Sequence, residues 1–385
     1  MAVTAIGPEL TVSTLLRWAT LANRGLNVAD SIEVDFLGVE TSKSGDAIGV
    51  RYELNGRTRV HVVDGGYLET GDRLVEHIAK HYGTGKVDSV VLTHPDSDHA
   101  NGLRKVLERC EVGELWMHRP WLYAQELLPR FQTYNSVDAL RNRLRKLYPG
   151  PAALEELALE KNIPIRDPFQ GAFIGDFLVL APTRARYLDL VVASDRTPEA
   201  AKDRTLVEAS LEGLAALAKA AKTLVQGLWG QEFFPVGGTS EENEMSVVQT
   251  ILINGKRVLL TGDTGRDGLK EAADYLEATG GALPGVWGFQ VPHHGGRRNV
   301  NTEVLNRWLG EPLKTQEDGY KFIAVCSSAK ADTAHPRKVV VRAMIHRGAH
   351  FSATEGRDLL LSTGISRDGW GGIEQAPYPP DYEKD

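Results

Sequence analysis

Four potential metal ligands fall within six consecutive residues of the stretch VDSVVLTHPDSDHANG, residues 87–102. They are His94, Asp96, Asp98 and His99. The preceding apolar run predicts a buried strand, and side chains in the turn after a strand can converge on a cation. Buried carboxylates without a positive partner at such a strand end would destabilise the fold, and a bound metal ion would compensate their charge. A dinuclear site is the economical interpretation; an Asx turn that caps a helix is the structural alternative.

Two stretches of the chain share one predicted order of elements. Residues 47–66, AIGVRYELNGRTRVHVVDGG, predict two strands joined at Asn55-Gly56, a pair favoured in type I′ hairpin turns. Residues 245–265, MSVVQTILINGKRVLLTGDTG, repeat this pattern around Asn254-Gly255. Both predict a following helix and strand, the helices lying at about residues 72–82 and 269–279. We infer a duplicated β-rich half, although Asn-Gly hairpins are common enough for an accidental match.

The region between these halves, about residues 119–234, is dominated by helical patterns. Residues 197–229 are rich in Ala and Leu at helical spacing, and GAFIGDFLVLAP, residues 171–182, predicts a hairpin within the region. A further amphipathic helix is predicted up to about residue 26. We interpret the chain, residues 1–385, as a single domain with a helical insertion, which could instead form a lid or a dimer surface.

Composition and charge restrict the function. The net charge of −7 and pI of about 5.9 argue against a protein that coats nucleic acid by bulk electrostatics, so an anionic substrate would need a local basic pocket or a metal. The two cysteines, Cys110 and Cys326, give no disulfide framework and fit a reducing compartment. There is no leader pattern and no apolar run long enough to cross a bilayer. We therefore expect a cytoplasmic protein that does not enter a membrane.

The motif THPDSDHANG resembles the signature His-x-His-x-Asp-His of metallo-β-lactamase-fold hydrolases, with Asp96 replacing the second histidine. That variant resembles the hydrolase domain of competence-type, ComEC-like, DNA-uptake channel proteins. The stretch HVVDGG precedes this motif, and NEMSVVQTIL, VLLTGD, VPHHGG and AHPRKVV follow it; together they resemble the motifs of that family and subgroup. The resemblance implies an α/β fold, an αββα metallo-β-lactamase sandwich, with the helical insertion between its two halves.

The resemblance also implies a ligand set. It assigns six residues to metal binding: His94, Asp96, Asp98, His99, Asp263 and His294. In this assignment His94 and Asp96 hold metal one, Asp98, His99 and His294 hold metal two, and Asp263 bridges the two metals.

Further residues are predicted to act on the substrate or behind the ligands. Asp98 and Asp263, together with His293 and His335, are the predicted catalytic residues. Asp64 is expected to orient a ligand rather than to contact metal. Three more residues are predicted to contact substrate or to support the ligands: Asn243, Ser246 and Arg297. Arg297 could bind a phosphate, or it could simply be a solvent-exposed residue at the start of a helix.

The sequence departs from the family pattern at metal one. A third histidine expected between the second and the bridging motif is missing, which leaves Asn243, Ser246 or water to take its place. With Asp96 also replacing a histidine, metal one becomes rich in oxygen ligands. We expect two divalent ions, zinc or manganese, with magnesium possible.

These features predict a metal-dependent hydrolase that activates water to cleave phosphodiester bonds, a nuclease or nucleotide phosphodiesterase. The expected partner is a nucleic acid or nucleotide substrate, and the helical insertion could bind a protein partner or a second copy. One alternative is a hydrolase of small molecules, such as cyclic nucleotides or other esters. A narrow pocket would favour this alternative. Another is a metal-poor scaffold subunit that has lost activity.

Overall fold

The computed structural model describes residues 30–39, 41–197 and 229–380. Within these ranges the chain forms two mixed β-sheets that pack face to face, with helices on both outer faces. This arrangement confirms the predicted α/β sandwich. The helix predicted before residue 26 lies outside the described residues, and so do residues 198–228 of the helical segment predicted over residues 197–229.

The first sheet has seven strands in the order β14-β1-β2-β3-β4-β5-β6. Its members are β1 (Ser31–Phe36), β2 (Ala47–Leu54), β3 (Arg57–Gly65), β4 (Lys86–Val91), β5 (Glu111–Trp116), β6 (Ile165–Arg166) and β14 (Leu359–Thr363).

The second sheet also has seven strands, in the order β13-β12-β11-β10-β9-β8-β7. Its members are β7 (Phe173–Ile174), β8 (Phe177–Ala181), β9 (Val248–Ile253), β10 (Lys256–Leu260), β11 (Gly288–Gln290), β12 (Phe322–Cys326) and β13 (Ala349–Ala353).

Both sheets have the same sequence of strand pairings. Read from β14 and from β7, three antiparallel pairs are followed by three parallel pairs. The hairpins β2–β3 and β9–β10 occupy equivalent positions, and both turn residues have positive φ, 54° and 72° at Asn55-Gly56 and 52° and 73° at Asn254-Gly255. Left-handed backbone at both positions is what a type I′ turn requires. The repeated order predicted from the two Asn-Gly pairs is therefore confirmed.

Eleven α-helices are assigned within the described ranges. They are α1 (Leu68–His77), α2 (Ser97–Ala100), α3 (Leu103–Arg109), α4 (Ala124–Leu127), α5 (Val137–Leu147), α6 (Pro149–Glu160), α7 (Arg184–Ala193), α8 (Glu241–Glu244), α9 (Arg266–Ala278), α10 (Thr302–Leu309) and α11 (Lys338–His346). Helix α1 begins four residues before the predicted start at 72, and a π-helical turn continues it to residue 82.

The apolar core has layers on both sides of each sheet. One cluster, which includes Val34, Val50 and Ile251, fills the space between the two sheets. A second joins the first sheet to α1, α3 and α6, and a third joins the second sheet to α9, α10 and α11. Every sheet face thus buries its apolar side chains, as an αββα sandwich requires.

The region 119–234 is not helical throughout. Strand β6 pairs with β5 at the edge of the first sheet, and the predicted hairpin forms β7 and β8 at the edge of the second. The described helices of this region, α4 to α7, share an apolar cluster of their own. The insertion is thus anchored to both sheets by short strands. Among the described residues, no helix combines the length and apolar character needed to span a membrane.

A buried ion pair fastens the loop after β14 to β1. Arg367 donates to both carboxylate oxygens of Asp35 at 2.6 and 2.8 Å, and the Tyr82 hydroxyl donates to the same carboxylate at 2.6 Å. Burial alone would raise the pKa of Asp35, but His77 and Arg367 outweigh it and lower that pKa. The carboxylate is therefore charged and fully paired inside the protein.

We predict that Asp35→Asn lowers the free energy of unfolding by about 3 kcal/mol, because it removes one of the two buried carboxylates that pair with Arg367. Since the folded-state pKa is lowered, this stabilisation is present above about pH 4 and is lost as the pH falls through the folded pKa. Urea unfolding at pH 7 and at lower pH measures both effects. Asp72→Asn, which removes an exposed ion pair with Arg109, should change stability by no more than about 0.5 kcal/mol. An equally small effect at Asp35 would contradict the prediction.

Candidate metal centre

The site residues follow two equivalent pairs of parallel strands. Asp64 is the penultimate residue of β3, and His94 follows the neighbouring strand β4. Asp263 and His294 follow β10 and β11, which are also parallel neighbours. Because parallel strands end at the same sheet edge, each half delivers polar side chains to one place.

The Asp263 carboxylate lies at the middle of three imidazoles. Its Oδ2 atom is 3.8 Å from Nε2 of His94, 3.4 Å from Nε2 of His99 and 3.6 Å from Nε2 of His294. Asp98 joins the group, with Oδ2 3.6 Å from Nε2 of His294. Five residues separated by up to 200 positions in sequence thus face a common point.

Asp96 lies at the margin of this cluster. Its Oδ2 atom is 3.7 Å from Nε2 of His94, while Oδ1 accepts a hydrogen bond from the guanidinium of Arg196. The Asp96 carboxylate therefore has one oxygen near the centre and one held by a cation. Burial would raise the pKa of Asp96, but His94 and Arg196 outweigh it and keep that pKa well below its usual range.

Four atoms that could bind a metal ion have no hydrogen-bond partner among the described residues. This holds for Nε2 of His94, His99 and His294 and for Oδ1 of Asp263, all of which are buried. Buried polar atoms are almost always hydrogen-bonded, and a mixed set of imidazoles and carboxylates is a common ligand set for divalent cations. The residues present therefore fit a divalent metal centre.

The opposite nitrogen of each imidazole is held from behind. Nδ1 of His99 lies 2.7 Å from Oδ2 of Asp64, which also accepts from the Thr93 hydroxyl at 2.6 Å. The same hydroxyl lies 3.0 Å from Nδ1 of His94, and Nδ1 of His294 lies 2.9 Å from the Ser327 carbonyl oxygen. These contacts turn every Nε2 towards the centre, the usual arrangement behind metal-binding histidines. Asp64 thus lies where the sequence predicts a supporting residue.

Asn243 and Ser246 lie beside the cluster. The Ser246 hydroxyl accepts a hydrogen bond from the Asp263 backbone N–H at 3.1 Å. The Asn243 side chain lies 3.1 Å from Nδ1 of His293 and donates to the Thr239 hydroxyl at 2.7 Å. Both side chains therefore support site residues, while their predicted roles near metal one stay predictions.

Close opposite charges couple the buried groups. Burial would raise the pKa of Asp263, yet His99, His294 and His293 outweigh burial and hold that pKa well below its usual range. Burial would lower the pKa of His294, but Asp263 and Asp98 raise it to about 9. A divalent cation competes with protons for these nitrogen atoms.

Two histidines form the exposed rim of the cluster. His293 is partly exposed, with Nε2 3.8 Å from Oδ2 of Asp263. His335 lies beside it, with ring centroids 5.6 Å apart, and its Nδ1 is 3.1 Å from Oδ2 of Asp332. Burial lowers the pKa of His335, although Asp332 opposes this shift. Arg297 is partly exposed three residues beyond His294, and its predicted contact with substrate stays a prediction.

Three residues near the site were missed in the sequence. Asp46 is buried, with Oδ2 3.9 Å from Nδ1 of His99, and Oδ1 has no hydrogen-bond partner among the described residues. Its sequence signal is a carboxylate directly before the apolar strand β2. Arg196 and Asp332 reach the site from distant segments, and no local pattern around either residue indicates that contact.

One family model matches part of the chain. Residues 50–176 match the family model described as Metallo-beta-lactamase superfamily. No curated protein matches the sequence. Among solved structures, a Thermotoga maritima protein assigned as a metallo-beta-lactamase is 13% identical over 66% of this chain and 87% of that chain, with a TM-score of 0.28.

Two other solved structures show the same low identity. MEM-A1, a subclass B3 metallo-beta-lactamase from a soil metagenome library, is 13% identical over 72% of this chain and 83% of that chain, with a TM-score of 0.29. A diphosphatase from the PhnP family is 13% identical over 39% of this chain and 55% of that chain, with a TM-score of 0.23. The family match and the two mixed sheets are consistent with a metallo-β-lactamase sandwich. The resemblance to DNA-uptake proteins stays a prediction.

We predict that Asp64→Asn weakens binding of divalent metal by about 10- to 100-fold, because His99 loses the carboxylate that orients it. Competition with a chromophoric chelator measures the affinity. The control is Asp176→Asn, which removes a carboxylate that pairs with Arg59 on the surface. This substitution should leave the affinity for metal unchanged. Unchanged affinity in Asp64→Asn as well would show that Asp64 does not support a ligand.

Proposed function

We propose that this protein is a metal-dependent hydrolase that cleaves phosphodiester bonds. The observation that carries the proposal is the cluster of buried, unpartnered Nε2 atoms around the Asp263 carboxylate. A catalytic dinuclear centre needs ligands of this kind held by a second layer of contacts, and His94, His99 and His294 all have one.

Six side chains would hold the cations: His94, Asp96, Asp98, His99, Asp263 and His294. When bound, divalent cations lower the pKa of water and stabilise negative charge on a phosphoryl oxygen. The mixture of three imidazoles and three carboxylates favours zinc or manganese over magnesium, which prefers oxygen ligands alone.

The rim histidines are suited to act on the substrate. Asp332 engages Nδ1 of His335, which leaves Nε2 as the nitrogen that can donate a proton to a leaving group. His293 is oriented by Asn243 and Asn299, and its exposed edge can hydrogen-bond a phosphoryl oxygen. In this proposal the buried residues bind metal and the rim residues bind and protonate the substrate.

The space beside the centre favours a compact substrate. A cleft of about 540 Å³ is lined by Asp96 and Asp98, together with Pro149 and Gly150. This volume is typical of sites for small molecules and is small for a long duplex. A nucleotide or a short, single-stranded nucleic acid is therefore the substrate class that we favour over double-stranded DNA.

We predict that Asp263→Asn lowers kcat/KM on a phosphodiester by more than about 100-fold, because loss of a supporting residue alone costs 10- to 100-fold at metal sites. Hydrolysis of bis(p-nitrophenyl) phosphate with added manganese or zinc measures this effect. The control is Asp274→Asn, which removes an exposed partner of Arg307 and should retain full activity.

Two outcomes would contradict the proposed function. Full activity of Asp263→Asn would show that hydrolysis does not depend on this cluster. Purified wild-type protein that binds metal in elemental analysis but cleaves no phosphodiester would favour another ester or amide substrate, and protein that binds none would favour the scaffold alternative.

A further inference from the structure

The cleft beside the candidate metal centre has a wall made of hydrogen-bond donors. Besides Asp96 and Asp98, its polar side chains are Ser97, Asn101, Arg104 and Arg196. The two aspartates are assigned to metal binding, so the groups left for a ligand are two guanidinium groups, an amide and a hydroxyl. All four can donate hydrogen bonds, and two are cations.

Arg104 is available for a ligand. Its side chain is exposed on α3 and forms no ion pair with any residue in the described ranges. Asn101 lies three residues earlier, in the turn between α2 and α3, and it lines the same cleft. The position of both residues on the cleft wall distinguishes Arg104 from an arginine that merely solvates the surface.

Arg196 contributes a second cation from a segment that is distant in sequence from Arg104. It follows α7, and one of its nitrogens pairs with Asp96 while its Nε lies 3.6 Å from Glu242. The Asp96 and Glu242 contacts fix the guanidinium at the cleft, adjacent to a proposed metal ligand. Arg196 thus marks the point at which the cleft meets the candidate metal centre.

We propose that this cleft binds a second phosphate group of the substrate, beside the phosphodiester that is cleaved. The inference rests on the proposed function and narrows its substrate class to compact phosphodiesters that carry a further phosphate, such as a dinucleotide with a terminal phosphate. Guanidinium groups and amides are the donors that recognise phosphate in proteins. The apolar part of the cleft, formed by Pro149, Gly150 and Ala153, leaves room for the sugar and base.

The test compares two dinucleotides that differ in one group, ApA and its 5′-phosphorylated form pApA, in the metal-loaded protein. Wild-type protein should show a KM at least about tenfold lower for pApA, because charge-assisted hydrogen bonds to the extra phosphate are of that strength. Arg104→Gln should abolish this preference and leave kcat and the KM for ApA unchanged. Arg109→Gln, an exposed arginine of the same helix that pairs with Asp72, should keep the preference.

The outcomes separate the second phosphate site from the proposed function. Equal KM values for the two dinucleotides in wild-type protein, or an unchanged preference in Arg104→Gln, would overturn the site while hydrolysis stands. If neither dinucleotide is cleaved, calorimetric Kd values of the intact dinucleotides decide the question. A tenfold tighter Kd for pApA that Arg104→Gln removes would support the site, and equal Kd values would overturn it.

Discussion

The structure depends on compensating a buried cluster of charges. Asp263 is nearly inaccessible to solvent, as are His94, His99 and His294, yet Oδ1 of Asp263 and Nε2 of each histidine have no hydrogen-bond partner among the described residues. A fold that merely needed stability would fill this space with apolar side chains. The surrounding contacts hold the groups in place instead, and a divalent cation would satisfy all of them together.

The duplicated halves supply this cluster unequally. Each half ends one strand with an aspartate and the neighbouring strand with a histidine, and the pairings of the two sheets correspond. Asp64 in the first half turns to Thr93 and His99, behind the ligands, whereas Asp263 in the second half faces the centre. One copy of the aspartate thus supports the site and the other belongs to it. This division explains how a symmetric scaffold builds an asymmetric site.

Much of the fold and of the candidate site could be predicted because the signals lie in short, continuous stretches of sequence. The Asn-Gly turns fix two hairpins, and the dense motif around His94 and His99 directly follows an apolar strand. The contributions of Arg196 and Asp332 depend on tertiary contacts between distant segments, which no local pattern reveals. Strand β6 shows a related limit, because a two-residue strand is defined by its pairing partner rather than by its own sequence.

The most direct test is anomalous X-ray diffraction from crystals of the full chain grown with manganese or zinc. The account predicts anomalous peaks within bonding distance of Nε2 of His94, His99 and His294 and of the Asp263 carboxylate. Peaks only at other positions, or no peak at this cluster at saturating metal, would contradict it.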